Sequence, residues 1–197
     1  MGKYLHILLL SGVTVVLSSI SYASSKPVDI IKKGTKLVYD VNYYGNNYEI
    51  TIVVKDNVNN YNFEWYMSAP ENKKGTLNLS KEAIENATGI FSYFTNGEIN
   101  LEDQCCIVLS RKMYDAFKGN GSMEIYTDKK NNVLSIFGNP YNHTQNFGYK
   151  NNFSNEFDCR TVNNGADYQI TYVNDPNFPL IVEMKLDWTL KLKNIYN

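Results

Sequence analysis

From Leu180 onward every second residue is apolar: Leu180, Val182, Met184, Leu186, Trp188, Leu190 and Leu192. From Glu183 onward the residues between them, Glu183, Lys185, Asp187, Thr189, Lys191 and Lys193, are polar. Side chains of an extended strand alternate between two faces, whereas those of a helix return every 3.6 residues, so this stretch cannot sit as a helix. It predicts one long strand, or two joined at a bend, with one face buried and one wet.

The same period of two opens the chain's structured part. Leu37, Tyr39, Val41 and Tyr43 alternate with Lys36, Asp40 and Asn42, and Gly45-Asn46-Asn47 turns the chain into Tyr48, Ile50, Ile52 and Val54. A second turn over Asn57–Asn60 leads to Tyr61, Phe63, Trp65 and Met67, so three antiparallel strands in meander order are expected. Ser80 followed by Lys-Glu-Ala-Ile-Glu starts a short helix ending near Gly89. Asn96-Gly97, between Ile90–Thr95 and Glu98–Leu101, predicts a type I′ hairpin. A cysteine-bearing strand over 105–109 comes next. Ser110 then caps a second helix through Phe117, closed by Gly119 and carrying Met113, Tyr114 and Phe117 as its apolar stripe. Ser122–Thr127 and Val133–Phe137 form another hairpin, and Tyr168, Ile170 and Tyr172 a strand before the Asn174-Asp175-Pro176 turn. Residues 139–156, rich in Asn with little alternation, read as a long loop, and loops of that length often carry function.

The expected fold is therefore mainly β: an antiparallel, strongly curved sheet or half-open barrel of nine or ten strands with two short helices. An outer-membrane barrel shares the period of two, but the helices and the long loop argue against one.

Met1-Gly2-Lys3, the apolar run from Leu5 through Leu17 and Ser21-Tyr22-Ala23 follow the order of a secretory signal, giving a signal peptide over 1–23 and a single β-rich exported domain over 24–197. The run is shorter than the roughly 20 apolar residues of a spanning helix, so no transmembrane segment is expected once the signal is removed. The destination is the periplasm or the exterior. A net charge of −1 gives no electrostatic reason to bind nucleic acid. The 16 tyrosines and the abundant asparagine suit a binding surface, and they equally follow from an AT-rich genome. Asn78, Asn86, Asn120, Asn142 and Asn152 each open an Asn-x-Ser/Thr triplet.

Three cysteines remain: Cys105, Cys106 and Cys159. In an oxidising compartment one bridge from the vicinal pair to Cys159 is expected, with Cys106–Cys159 as the candidate; Cys105, a vicinal bridge, an intermolecular bridge or three reduced thiols are the alternatives. Once the signal is gone, His143 is the last histidine, which excludes a zinc site built on several of them. A nucleophile with a histidine base would have to pair His143 with Ser154 or Cys159, and no nucleophile-elbow pattern surrounds them. No phosphate loop, dinucleotide fingerprint, C-x-x-C or calcium loop occurs, and no cofactor is expected. Paired carboxylates meet only in space, so sequence leaves them open; Glu102-Asp103 reads as a solvated strand end.

The apolar strand faces form either a core closed by the helices or a half-open concave sheet. In the second case Trp65, Met67, Met184 and Trp188 are the candidate ligand-binding residues for an acyl chain, lipid or other apolar small molecule.

The opening Lys33-Gly34-Thr35-Lys36-Leu37-Val38-Tyr39-Asp40-Val41 and the closing Tyr172-Val173-Asn174-Asp175-Pro176, Pro179-Leu180-Ile181-Val182, Met184 and Trp188 through Leu192 resemble a family of exported bacterial proteins of unknown function, sometimes called TapB-like. The resemblance covers the first strand and the last two. It implies a β-rich, partly barrel-like domain in the cell envelope, broadly similar to half-barrel lipoprotein and lipid carriers, and it implies no catalytic residues. The functional expectation is a non-enzymatic envelope protein that binds an apolar ligand or another envelope protein. A hydrolase of envelope carbohydrate using two carboxylates, or a purely structural surface protein, is the alternative.

Overall fold

The computed structural model describes residues 30–58, 60–69, 71–119, 122–127, 133–149, 153–165 and 167–197. The signal peptide read over 1–23, the turn over 128–132, and Asn120 and Asn152 lie outside the described residues.

The meander predicted at the start is present. β1 (Lys36–Tyr43), β2 (Asn46–Asn57) and β3 (Tyr61–Met67) pair antiparallel in sequence. The first turn is Tyr44-Gly45, with φ of 48° and 84°, one residue earlier than the Gly45-Asn46-Asn47 expected from sequence, whose two asparagines open β2. Positive φ at both central residues is what a two-residue hairpin needs to match strand twist, and glycine supplies one of them without steric cost. Leu37, Tyr39 and Val41 on β1, Ile50, Ile52 and Val54 on β2, and Tyr61, Phe63, Trp65 and Met67 on β3 all point into one buried layer.

β4 (Lys74–Leu79) extends this unit and leads into α1 (Lys81–Asn86), where Ser80 accepts a hydrogen bond from the Ala83 N–H at 3.1 Å, as its cap position requires. β5 (Gly89–Ile90) and β6 (Gly97–Leu101) follow. The hairpin expected around Asn96-Gly97 does not form. Gly97 has φ +105°, but Asn96 is not left-handed, and its Oδ1 instead accepts from the Lys74 N–H at 2.9 Å. β6 thereby lies parallel to β4, with α1 inside the crossover, and β5 pairs parallel with both β7 (Gln104–Cys105) and β8 (Ser122–Thr127). Parallel neighbours need long connections, which a helix usually fills, so the two helices bring parallel pairings with them. The sheet is accordingly mixed, not purely antiparallel.

The expected cysteine strand stops at Cys105. Every residue from Cys105 to Ser110 is buried. Ile107 takes φ +60°, and the Val108 N–H donates to the Cys106 carbonyl, two residues back. This is a γ-turn of the rare left-handed kind, here on a β-branched residue. Beyond it the chain pairs with the segment entering β12 (Ile181–Lys185): the Leu109 N–H donates to Pro179 O at 3.0 Å and the Ile181 N–H to Ile107 O at 2.7 Å. Tyr39 Oη closes the same region by donating to Ile181 O at 2.9 Å. α2 (Arg111–Lys118) follows, capped by Ser110, and packs Met113, Tyr114 and Phe117 inward, with Tyr114 and Phe117 against Tyr172.

Residues 139–156 are not a loop among the described residues. β9 (Val133–Tyr149) and β10 (Phe153–Asn163) pair antiparallel from Tyr149↔Phe153 to Tyr141↔Thr161. On β10 the buried side chains Phe157, Cys159 and Thr161 alternate with exposed or half-buried Glu156, Asp158 and Arg160, whereas β9 from Tyr141 to Asn146 buries none. Phe147 packs against Phe157 across the ribbon, with ring centroids 5.5 Å apart.

β11 (Gln169–Val173), β12 and β13 (Trp188–Tyr196) complete the sheet. The long alternation is two strands reversed at Leu186-Asp187. Met184 sits opposite Leu190 and Lys185 opposite Thr189, so apolar residues stay on one face across the turn and the period of two passes through undisturbed. The thirteen strands run in the order β6-β4-β3-β2-β1-β13-β12-β11-β10-β9-β8-β5-β7. β13 pairs with β12 only over Glu183–Lys185, and further along Asn194 meets Gly148 of β9.

Candidate functional site

Trp65, Met67, Met184 and Trp188 belong to the closed core. They are between 1 % and 8 % exposed. Trp65 meets the Phe94 ring edge-on at 5.0 Å, and Met184 faces Ile170 and Leu190 across the strands. Met67 also lines a small concavity of about 110 Å³ with Tyr43, Tyr48, Tyr93 and Phe94.

The expected Cys106–Cys159 bridge is absent, and none of the three cysteines forms a disulfide. Cys105 Sγ lies 3.6 Å from Met113 Sδ in the α2 contact, while Cys106 lies beside Tyr39 and Cys159 sits on β10 opposite Val173 and His143. Each thiol is thus held by a different element. Burial pushes Cys105 and Cys159 up to about 12, Asp158 adding to the effect at Cys159, so both are kept as thiols. His143 is the cross-strand partner of Cys159, and its Nε2 is 3.0 Å from Gln145 Nε2. A thiol raised this far is the opposite of an activated nucleophile.

The outward face of β3, β2, β1 and β13 carries the open concavities. One, of about 570 Å³, is lined by Asp40, Asn42, Asn47, Glu49, Ser68, Thr189 and Lys191, with Val41, Tyr48 and Ala69. A second, of about 390 Å³, is lined by Gly34, Lys36, Val38, Thr51, Tyr66, Tyr196 and Asn197. Strand register shows how they relate. Across the sheet Tyr66, Thr51, Val38 and Asn194 stand in one row, and Glu49, Asp40 and Lys191 in the next but one along β1. The two concavities therefore lie end to end along β1, a strand of eight residues and roughly 25 Å.

The groove is held by its own polar contacts. Lys193, brought alongside by the bulge opposite Val38/Tyr39, reaches Glu49 Oε1 at 2.5 Å and Asp40 Oδ1 at 3.4 Å. The Glu49 hydrogen bond and then the Asp40 charge raise the Lys193 ammonium above its ordinary value. Asn42 Nδ2 donates to Asn47 Oδ1 at 2.6 Å, and the Glu49 N–H donates to Ser68 Oγ at 2.9 Å, fixing the turn after β3 as a wall. Tyr66 and Tyr196 expose 44 % and 42 % of their surface at one end. Sequence reading placed Asp40, Asn42, Thr189, Lys191 and Lys193 on the wet sides of strands and Asn47 in a turn, and it singled out neither Tyr66 nor Tyr196. Their assembly into a groove depends on β1 pairing with β13, which no local pattern signals.

Asp40 and Glu49 are direct cross-strand partners, the closest approach to the paired carboxylates that sequence left open. A pair that runs acid–base chemistry has to hold a proton on one member. This pair holds the Lys193 ammonium between them instead. No three His, Cys, Asp or Glu side chains among the described residues group as metal ligands, and no helix among them is long and apolar enough to cross a membrane.

Comparison with family profiles, with curated proteins and with solved structures finds no match to this chain.

Proposed function

We propose that the chain is an exported, non-enzymatic binding module of the cell envelope that takes its ligand on the outward groove along β1. The observation that carries this reading is the alignment of two concavities on one sheet face, lined by amide, hydroxyl and charged side chains held in place by one another. Export is supported by the charge, apolar run and small-residue order of residues 1–23. A half-open barrel is supported by the meeting of Asn194 with Gly148, which folds β9 back toward β13. The likeness of the first and last strands to the TapB-like family agrees with an envelope protein.

The test is co-sedimentation of the mature protein with envelope material of its own cell, against the double variant Asn42→Lys/Thr189→Lys. Both residues line the groove away from the core, so the variant keeps its fold, checked by circular dichroism. Sedimentation of the wild type with loss in the variant is the expected result. Equal behaviour of the two removes the groove as the binding face.

The hydrolase reading is favoured by the Asp40–Glu49 register alone. It requires that Glu49→Gln abolish a glycan-cleaving activity that the wild type shows.

A further inference from the structure

We infer that the occupant of the groove is a linear, uncharged glycan lying along β1, a reading that rests on the binding-module proposal and names its ligand class. The choice follows from what the groove offers and what it withholds.

An extended peptide that adds to a sheet needs unpaired backbone N–H and C=O groups along an edge. The groove floor has none to give: β1 is paired along its length with β2 on one side and β13 on the other, and β2 is paired with β3. Recognition here has to come from side chains. Those side chains are Asn42, Asn47 and Thr189; the Asn42–Asn47 bond leaves the Asn47 amide donors and the Thr189 hydroxyl to meet a chain of hydroxyls.

At the larger concavity a charged ligand finds the neighbouring ionic groups paired with one another, while Lys36 lines the second one. Lys193 is held by Glu49 and Asp40, Lys191 stands 4.0 Å from Glu183, and Lys55 is 2.8 Å from Glu64 on the neighbouring rows. Val38, the aliphatic side chain in the floor of the second concavity, is flanked by Lys36 and Asp40 on its own strand face, so apolar and polar groups alternate along the groove. The remaining feature is the pair of tyrosines. Tyr66 and Tyr196 stand on opposite sides of the β1–β2 floor at one end, half-exposed and on paired strands. A tyrosine ring presents an apolar face and a polar tip, and a sugar ring presents a face of C–H groups rimmed by hydroxyls, so the two stack with both needs met. The roughly 25 Å run accommodates several sugar rings in a row.

The experiment is a printed array of uncharged linear oligosaccharides spanning gluco-, galacto-, manno- and N-acetylhexosamine chains, probed with the labelled mature protein. The best chain is then titrated in solution while amide chemical shifts are followed. The expected result is binding that shifts residues 36–42, 47–51 and 189–196, grows with chain length, and weakens by roughly three- to tenfold in Tyr66→Ala and in Tyr196→Ala. Both tyrosines are exposed, and the variants' own spectra show that the fold is kept. Absence of any array ligand, or shifts confined to other surfaces, overturns the glycan inference. If groove-dependent co-sedimentation persists in that case, the binding-module reading stands with a different ligand; if it is absent too, both fall.

Discussion

Ile107 carries a test of backbone energetics with an unusual sign. Its side chain is 2 % exposed, and its φ is +60°. Truncation to alanine removes a buried side chain and costs about 2–5 kcal/mol. Alanine still has a Cβ, and in the left-handed region a Cβ costs roughly 1–2 kcal/mol. Going on to glycine removes that term, against an ordinary loss of about 0.5–1 kcal/mol from the freer unfolded chain. Ile107→Gly is therefore expected to be more stable than Ile107→Ala by about 0.5–1 kcal/mol, although both lie below the wild type. For a chain of this size that is a Tm difference of roughly 1–4 °C. The control is Ile52, also buried but within the regular ladder of β2, where the glycine variant should fall below the alanine variant by a similar amount. Urea unfolding of the four variants, compared at a common m value, reads the differences. If Ile107→Gly falls below Ile107→Ala by the same margin as at Ile52, the γ-turn reasoning is refuted.

Three further outcomes follow from the packing. Gly75→Ala places a Cβ 1.9 Å from the Gly97 carbonyl oxygen and 3.0 Å from Trp65 Cζ2, so β6 has to leave β4; with Ile99 and Leu101 buried on β6, a loss of about 3 kcal/mol or more is expected in chemical denaturation, and a loss under about 1 kcal/mol contradicts the register. Native protein isolated without reductant should resist alkylation by iodoacetamide at neutral pH, and the denatured chain should take up one equivalent at each of its three cysteines; a mass two hydrogens short after denaturation would restore a bridge. Stability should fall as pH rises from about 8.5 toward 12: the unfolded thiols lose their protons near the ordinary value, while burial holds Cys105 and Cys159 protonated to about 12, so the native state binds more protons across that window. The buried hydroxyls of Tyr39 and Tyr172, raised by desolvation, act in the same direction above pH 10, and a flat unfolding midpoint between pH 9 and 11 would count against the burial of these groups.

Local chemistry explains which elements were legible in the sequence. The Tyr44-Gly45 hairpin, the Ser80 and Ser110 caps, and the strands of β1–β3, β8 and β11 are each specified by residues within a few positions of one another. Asn96-Gly97 misled because a turn dipeptide acts only if both flanks are strands, and here Asn96 serves Lys74 on a distant strand. β12 and β13 appeared as one run because their turn preserves facing, and β9 disappeared into a loop because its described side chains from Tyr141 to Asn146 are polar or aromatic and none is buried, leaving no apolar period to read. The apolar quartet was rightly placed on inward faces, but periodicity cannot say whether an inward face is lined or filled. Here the four are buried, with the Phe94 ring against Trp65. The groove was invisible for a different reason: Asp40, Glu49, Thr189 and Lys191 are ordinary wet-face residues until β1 and β13 meet.

That meeting also sets a timetable. Lys36 pairs with Tyr196 and Tyr43 with Trp188, so the seam at the centre of the sheet joins the two ends of the described chain. A polypeptide emerging from the ribosome can form the β1–β3 meander early, but β1 keeps one row of backbone groups unmatched until the last strand is delivered. Contacts this far apart in sequence close slowly, because the entropy of the whole intervening loop opposes them until they form. The waiting edge of β1 is then the natural point for a holding chaperone to engage until the last strand arrives and the sheet locks.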